Sequence, residues 1–384
     1  LSTTQAAALS AKSITGLTTA QVGVLGSANV AALSTAQVGA LNSTQIGALS
    51  SAELAGLSTA DVAAINTAAL GGLSEANVAA LSSDQAAALT TAQVATLKTT
   101  QIHALTSTQV GALSTSQVGA FSSTQVGALT TDNVAGLSTT QAAALSSKSI
   151  TGLTTAQVGA LGSANVAALS TAQVGALNSA QVGALSSAEL AGLSTADIAA
   201  INTAALGGLS ETNVATLSSD QAAALTTAQV ATLKTTQIHA LTSTQVGALS
   251  TSQVGAFSAT QVGALTTDNV AGLSTTQIGA LSTKSVTGLS TAQVGALSST
   301  QVEALSSTQT AALTSSQIGA LSTADIAVFS TDDIAAITTT ALAGLSTTDI
   351  GSLSSGQLQA ITTTQLQAMN TDQVAAVIAA YHAA

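Results

Sequence analysis

The chain has 384 residues, of which 46% are hydrophobic, 5% charged and 1% aromatic, with no Pro, Cys or Trp. Ordinary globular domains carry about 25% charged residues, while a mean hydropathy of +0.51 is too apolar for a charged disordered chain. A formal charge of −11 with five Lys gives no basic surface for nucleic acid, and zero Cys excludes disulfides and thiolate metal sites while fitting any compartment.

The chain opens at Leu1, without Met and in mid-pattern. It is expected to be a fragment or processed piece with any targeting signal outside it. From Leu1 onward an eight-residue phrase repeats 48 times with no insertion or deletion. Residues 33–57 show it in the form LSTAQVGA-LNSTQIGA-LSSAELAG-L. Position 1 is Leu, replaced by Ile65, Phe121, Met369 or Val377 among others. Position 6 is mostly Val, Ile or Leu, and position 8 is small. Positions 2 and 3 are mainly Ser, Thr or Asn, and position 5 is predominantly Gln.

Eight residues match neither a continuous helix nor the alternation of a strand. They match a very short helix restarted in every octad. In residues 33–40, Ser34 is the N-cap and Gln37 falls at the third helical position, completing a capping box. Leu33 and Val38 form the hydrophobic staple around it. Substitutes at position 5 include Asn29, Asp61, Glu53 and Ser13, side chains suited to a helix N-terminus. Position 7 takes Gly but also Ala31, Thr15, His103, Glu303 and Gln359, so no positive φ is required there. It is read as exposed, and position 8 as small because a neighbouring backbone lies close.

Burying one Leu and one Val falls well short of the entropy lost in ordering eight backbones. Each octad must therefore stack on its neighbours. The predicted fold is an all-α solenoid, a superhelical rod of 48 capped octads, with a β-solenoid as the alternative. Leu and Val point inward, Leu at position 1 deepest, and Ser, Thr and Gln outward. About three or four octads per superhelical turn at helix-packing spacing give a rod on the order of 100–160 Å.

A longer repeat overlies the octads. The phrase opening at Leu1 returns at Leu137 and, more loosely, at Leu273, a spacing of 136 residues. Residues 1–384 are thus read as one continuous solenoid with internal repeats 1–136, 137–272 and a partial 273–384. The first two differ at eight positions, for example Val24/Ala160 and Ala76/Thr212, which points to recent tandem duplication. Drift after 273 points to an approaching boundary or cap. One odd octad recurs, INTAALGG at Ile65 and Ile201 and ITTTALAG at Ile337, with Ala69, Ala205 and Ala341 at position 5. It is either a bend or lateral-contact site or drift copied by duplication.

No catalytic, cofactor-binding or metal site is expected. Each Ser is accounted for as a cap, with no His-acid partner recurring beside it. His103 and His239 are copies of one isolated position, and His382 is terminal. Glu53, Asp61, Glu75 and Asp84 are spread without calcium-loop spacing, and the pair Asp332–Asp333 reads as charge at a helix N-terminus. Lys12, Lys98, Lys148, Lys234 and Lys284 are sparse. Ser/Thr clusters interrupt every apolar run, so no stretch reaches the roughly 18–20 residues of a membrane span, and the tail 374–384 is too short.

The phrase Leu-Ser/Thr-x-x-Gln-Val-x-Ala-Leu resembles the opening of transcription-activator-like effector repeats over one octad. It lacks their base-reading loop and their charge. Over all 384 residues the chain is similar to octapeptide-repeat regions of very large secreted bacterial surface proteins, filamentous or adhesin-like. Those are also Ser/Thr/Ala/Gly-rich, acidic and free of Cys, and many leave by type I secretion. The resemblance implies an extracellular location at the cell surface. The reading is a non-enzymatic structural protein of a fibre, filament or stalk that self-associates, with no nucleic acid or small-molecule partner. The alternative is an adhesin whose Ser/Thr rows bind glycan or ice. The free interchange of Ser and Thr at positions 2 and 3 argues against an ice face.

Overall fold

A computed structural model describes residues 1–383. The described residues form short helices of four to six residues, one per octad, and no strand. The all-α solenoid expectation holds and the β-solenoid does not.

Thr35–Ala40 shows how one octad is built. Ser34 has extended φ and ψ of −77° and 158°, and its side chain accepts from the Gln37 amide. The Gln37 Oε1 in turn accepts the Ser34 N–H at 2.7 Å, which is the capping box. Seven residues after Ser34, Leu41 leaves the helix at φ −62° and ψ 134°. The next cap, Asn42, follows at once and starts Ser43–Ala48. A helix of this kind therefore ends because the next Leu turns extended and the residue after it nucleates a new one.

The chain divides into two units, Leu1–Gly208 and Leu209–Ala384. The division falls inside the second long repeat. In the first unit, Thr35–Ala40 packs on the helices Ala11–Thr15 and Thr59–Ala64, three octads before and after it. In the second unit, Ser307–Thr310 packs likewise on Thr283–Val286 and Thr331–Ala336. Three to four octads make a turn, as expected, because side chains also reach 28 and 31 residues back.

Two expectations about the interior need correction. Position 6, not position 1, is deepest: Val110 is 0% exposed and Leu113 4%. Val110 lies within Ser107–Ala112, which packs on helices three octads before and after it, whereas Leu113 stands in extended backbone at the end of that helix. Gln at position 5 was expected to face outward and is buried, Gln109 being 2% exposed.

The final helix, Thr371–Ala383, differs from the rest in running 13 residues. Ile378 stands where the next Ser or Thr cap would be, so the helix continues through the octad boundary. Val377 is buried, while Ile378 and Tyr381 are exposed.

Candidate functional site

The repeated chemistry of this fold lies between turns, at position 5. In the first unit, the Gln109 Oε1 accepts the Thr106 N–H at 2.8 Å. Its Nε2 donates to the Val78 carbonyl at 2.9 Å and the Leu81 carbonyl at 2.6 Å, one turn earlier. In the second unit Gln245 does the same to Val214 and Leu217, at 2.9 and 2.6 Å. One amide thus caps its own helix with the oxygen and binds two buried carbonyls of the preceding turn with the nitrogen. The Leu81 carbonyl lies where the chain passes to the next helix and needs an outside donor, while the Val78 carbonyl also accepts the Leu81 N–H at 3.2 Å, so the amide is its second donor.

Other residues at position 5 choose other partners according to length and charge. The shorter Asn77 reaches one carbonyl, Leu49, at 2.9 Å, and Asn269 reaches Leu241 at 2.9 Å. A carboxylate cannot donate, and Glu53 instead accepts the Gly26 N–H of the preceding turn at 2.9 Å. Gly26 holds φ at +79°, and its copy Gly162, at +77°, bonds Glu189 at 3.2 Å. These are the only positive-φ residues among those described. In the third long repeat both partners change together. Ser298 replaces the glycine and Asp325 the glutamate, and Asp325 accepts the neighbouring Ser299 hydroxyl at 2.8 Å.

Where position 5 is very small, the turns close. Ala69, Ser149 and Ala205 in the first unit, and Ser285 and Ala341 in the second, all share an octad with Gly at position 8. A Cβ on Gly72 would overlap the Ser43 carbonyl, on Gly152 that of Ser123, and on Gly208 that of Ser179. In the second unit Gly288 meets Ala259 and Gly344 meets Ser315 in the same way. With a Glu at position 5, a Cβ on Gly56 would be tight without overlapping, its nearest earlier-turn atom being the Ser27 carbonyl at 3.1 Å. The expected closeness at position 8 is therefore real, and tightest where no long side chain holds the turns apart.

Position 7 is less free than its sequence variety indicates. A Cβ on Gly39 would lie 2.9 Å from the Ala64 carbonyl, and on Gly255 3.0 Å from that of Ala280. His103 occupies this position, and its Nδ1 lies 3.2 Å from the Ala128 carbonyl. A shallow cleft of about 390 Å³ runs beside it, lined by Glu75, Thr99, Gly127, Thr131 and Thr154 among others. His239 repeats the contact with Ala264 at 3.1 Å.

Among the described residues no three or more His, Asp or Glu side chains group to hold a metal ion. No helix is long and apolar enough to cross a membrane. Glu53 and Asp61 are buried in capping boxes, whereas Glu75 and Asp84 are exposed. Of the pair, Asp333 is buried as the cap partner of Ser330 and Asp332 is exposed.

The glutamine amide is the functional group that the capping-box reading missed. A capping box works equally well with Glu, so the dominance of Gln was the available sign of a second task needing a donor.

No curated protein and no solved structure matches the chain. The phrase ALTTAQ, read at residues 88–93 and again at 224–229, gives its name to a repeat whose pattern matches thirteen times. The matches cover residues 23–51 and 54–91, run without a gap from 87 to 323, and end with 326–362 and 342–377. The chain belongs to the ALTTAQ repeat family.

Proposed function

We propose that the protein is a non-catalytic structural element of an extracellular fibre, filament or stalk on a bacterial surface. The observation that carries this reading is the recurrence of one joint. A glutamine amide ties each turn to the last through carbonyls 28 and 31 residues back, in both units. Such a joint makes contacts only between neighbouring turns, so length follows octad number and no closed core limits it. A surface of Ser, Thr and Ala with few charges suits an inert spacer. Resemblance to secreted octapeptide-repeat regions favours the extracellular location, with type I secretion as the exit route.

Electron microscopy of the purified chain and of a variant lacking residues 137–272 tests the reading. Particles of constant thickness, shorter by about a third in the variant, are expected. A compact particle, or an unfolded variant, refutes it. Protease treatment of intact producing cells tests the location: loss of the chain is expected, and full protection refutes surface display.

A further inference from the structure

We propose that octads 65–72 and 201–208 each hold an open site for a primary carboxamide group, the head of a glutamine side chain or of a small free amide.

In an ordinary joint the position-5 glutamine supplies that group from within. Gln93 accepts the Thr90 N–H at 2.7 Å through Oε1. Its Nε2 donates toward the carbonyls of Val62, Ala63 and Ile65, which are 31, 30 and 28 residues back. In octad 65–72 the amide is missing, because position 5 is Ala69. The groups it would serve remain. Counted back from Ala69, they are the Asn66 N–H and the carbonyls of Val38, Gly39 and Leu41. Neither the Asn66 N–H nor the Leu41 carbonyl has a hydrogen-bond partner among the described residues. A cleft of about 300 Å³ stands in that place, lined by Gly39, Leu41, Asn42, Asn66 and Ala69 among others. Position 8 closes at Gly72, but position 5 stays open.

The second site is built alike. A cleft of about 300 Å³ is lined by Gly175, Leu177, Asn178, Asn202 and Ala205 among others. The Asn202 N–H and the Leu177 carbonyl again lack partners among the described residues. Both clefts lie wholly within the unit Leu1–Gly208.

A donor standing opposite acceptors selects the ligand. A carboxylate brings no hydrogen for the Leu41 carbonyl, and an ammonium brings no acceptor for the Asn66 N–H. A primary carboxamide supplies both, in the arrangement that Gln93 shows. Another small position-5 residue answers the need differently: the Ser285 hydroxyl itself donates to the Phe257 carbonyl at 2.6 Å.

The rim is specialised as well. Position 2 is Asn at 42, 66, 178 and 202 and in no other octad of the first unit. All four line the two clefts. Asn42 Oδ1 accepts the Gln45 N–H and the Thr44 hydroxyl, and Asn66 Oδ1 accepts the Ala68 N–H. Each side-chain NH2 is thus left to donate to a ligand's carbonyl oxygen, which has two lone pairs. In the third long repeat both change together, to Thr314 and Thr338.

The probe is propionamide, the end of a glutamine side chain, with propionate as the control of the same shape. Ligand-observed NMR on the full chain should show propionamide bound in the millimolar range expected for so small a ligand, and propionate at least about tenfold weaker. Hydrogen exchange around residues 38–42 and 66–70 should slow on binding, which locates the probe. Ala69→Gln with Ala205→Gln supplies the amide from within and should abolish binding. Because that turn is tight at Gly72, a second variant carries Asn42→Thr, Asn66→Thr, Asn178→Thr and Asn202→Thr, the residue found in the third repeat. It should bind about tenfold more weakly, with circular dichroism confirming that both variants keep their helix content. A blocked octapeptide of residues 33–40, which carries Gln37, separates the sources. Tighter binding than propionamide supports a glutamine side chain of another chain as the ligand, and weaker binding supports a free amide. Absence of propionamide binding, equal binding of propionate, or binding that survives in the folded variants overturns the proposal and leaves the clefts to water.

Discussion

Replacing Gln109 by Ala removes the Thr106 cap partner and the donor to two carbonyls at once. All three groups lie where water enters poorly, since Gln109 is 2% exposed. Each net hydrogen bond is worth about 0.5–1.5 kcal/mol, so the turn should lose about 2–4 kcal/mol. A long array does not unfold in one step, which makes local hydrogen exchange a better measure than a melting curve. Peptides spanning residues 73–113 should exchange roughly 30- to 1000-fold faster, at 1.4 kcal/mol per tenfold. The neighbouring exposed Thr108→Ala should leave them unchanged. Gln109→Glu keeps the shape but places a carboxylate against two carbonyls, an uncompensated buried charge costing about 3–5 kcal/mol. Those carbonyls raise the folded pKa of the new carboxyl, because only its protonated form donates. Stability of that variant is therefore greatest below the unfolded Glu value of about 4.3 and falls as pH rises through the raised folded value. Equal exchange in Gln109→Ala and Thr108→Ala, or a Gln109→Glu variant as stable as the native chain at pH 7, would refute the account of the joint.

Other substitutions separate causes that look alike in the sequence. Gly72→Ala should destabilise by about 3 kcal/mol or more, because the added carbon meets backbone. Gly351→Ala, in open space within Thr347–Gly351, should instead stabilise by about 0.4–1 kcal/mol; exchange of the two segments gives both signs. Gly26→Ala should cost about 1–2 kcal/mol from its φ alone, with no atom within 4 Å of the new carbon. Thr310 stands at position 6, fully buried, with a hydroxyl that has no partner. Thr310→Val should gain about 1–3 kcal/mol, and slower exchange around residues 305–313 is the check.

Helix starts were legible because a capping box is local. Ser34 and Gln37 are three residues apart, and their bond needs no knowledge of the rest of the chain. The inward staple was legible for the same reason. The depth order of Val110 and Leu113 was not, since both are apolar and only the path of the superhelix decides which meets its axis. The amide joint was half legible. Its oxygen serves the local cap, but its nitrogen acts 28 and 31 residues away, a distance no local pattern displays. The closures were noticed at Ile65, Ile201 and Ile337 through a missing cap partner. Their cause lay in Gly72, Gly208 and Gly344, which belong to the same octads but contact the previous turn. Ser149 and Ser285 were missed as members of the same class, because Ser is an acceptable cap residue and hides the lost length.

The internal duplication is a natural experiment on these joints. An inserted octad of any kind keeps the Leu and Val pattern, yet it shifts every partner by eight residues. Glu53 would then face something other than Gly26, and Gly72 something other than Ser43. Inserting 17 octads together carries matched partners with it, since Glu189 again finds Gly162 and Gly208 again finds Ser179. Only the few joints spanning the seam need to be compatible, and there Gln141 finds the ordinary carbonyls of Val110 and Leu113. The paired change to Ser298 and Asp325 keeps a contact between the turns by another route: the shorter carboxylate accepts the Ser299 hydroxyl, whose counterparts Ser27 and Ser163 already stand in the earlier repeats. The duplicated unit thus carries its specific joints intact, and a chain of this kind grows by blocks rather than by single octads.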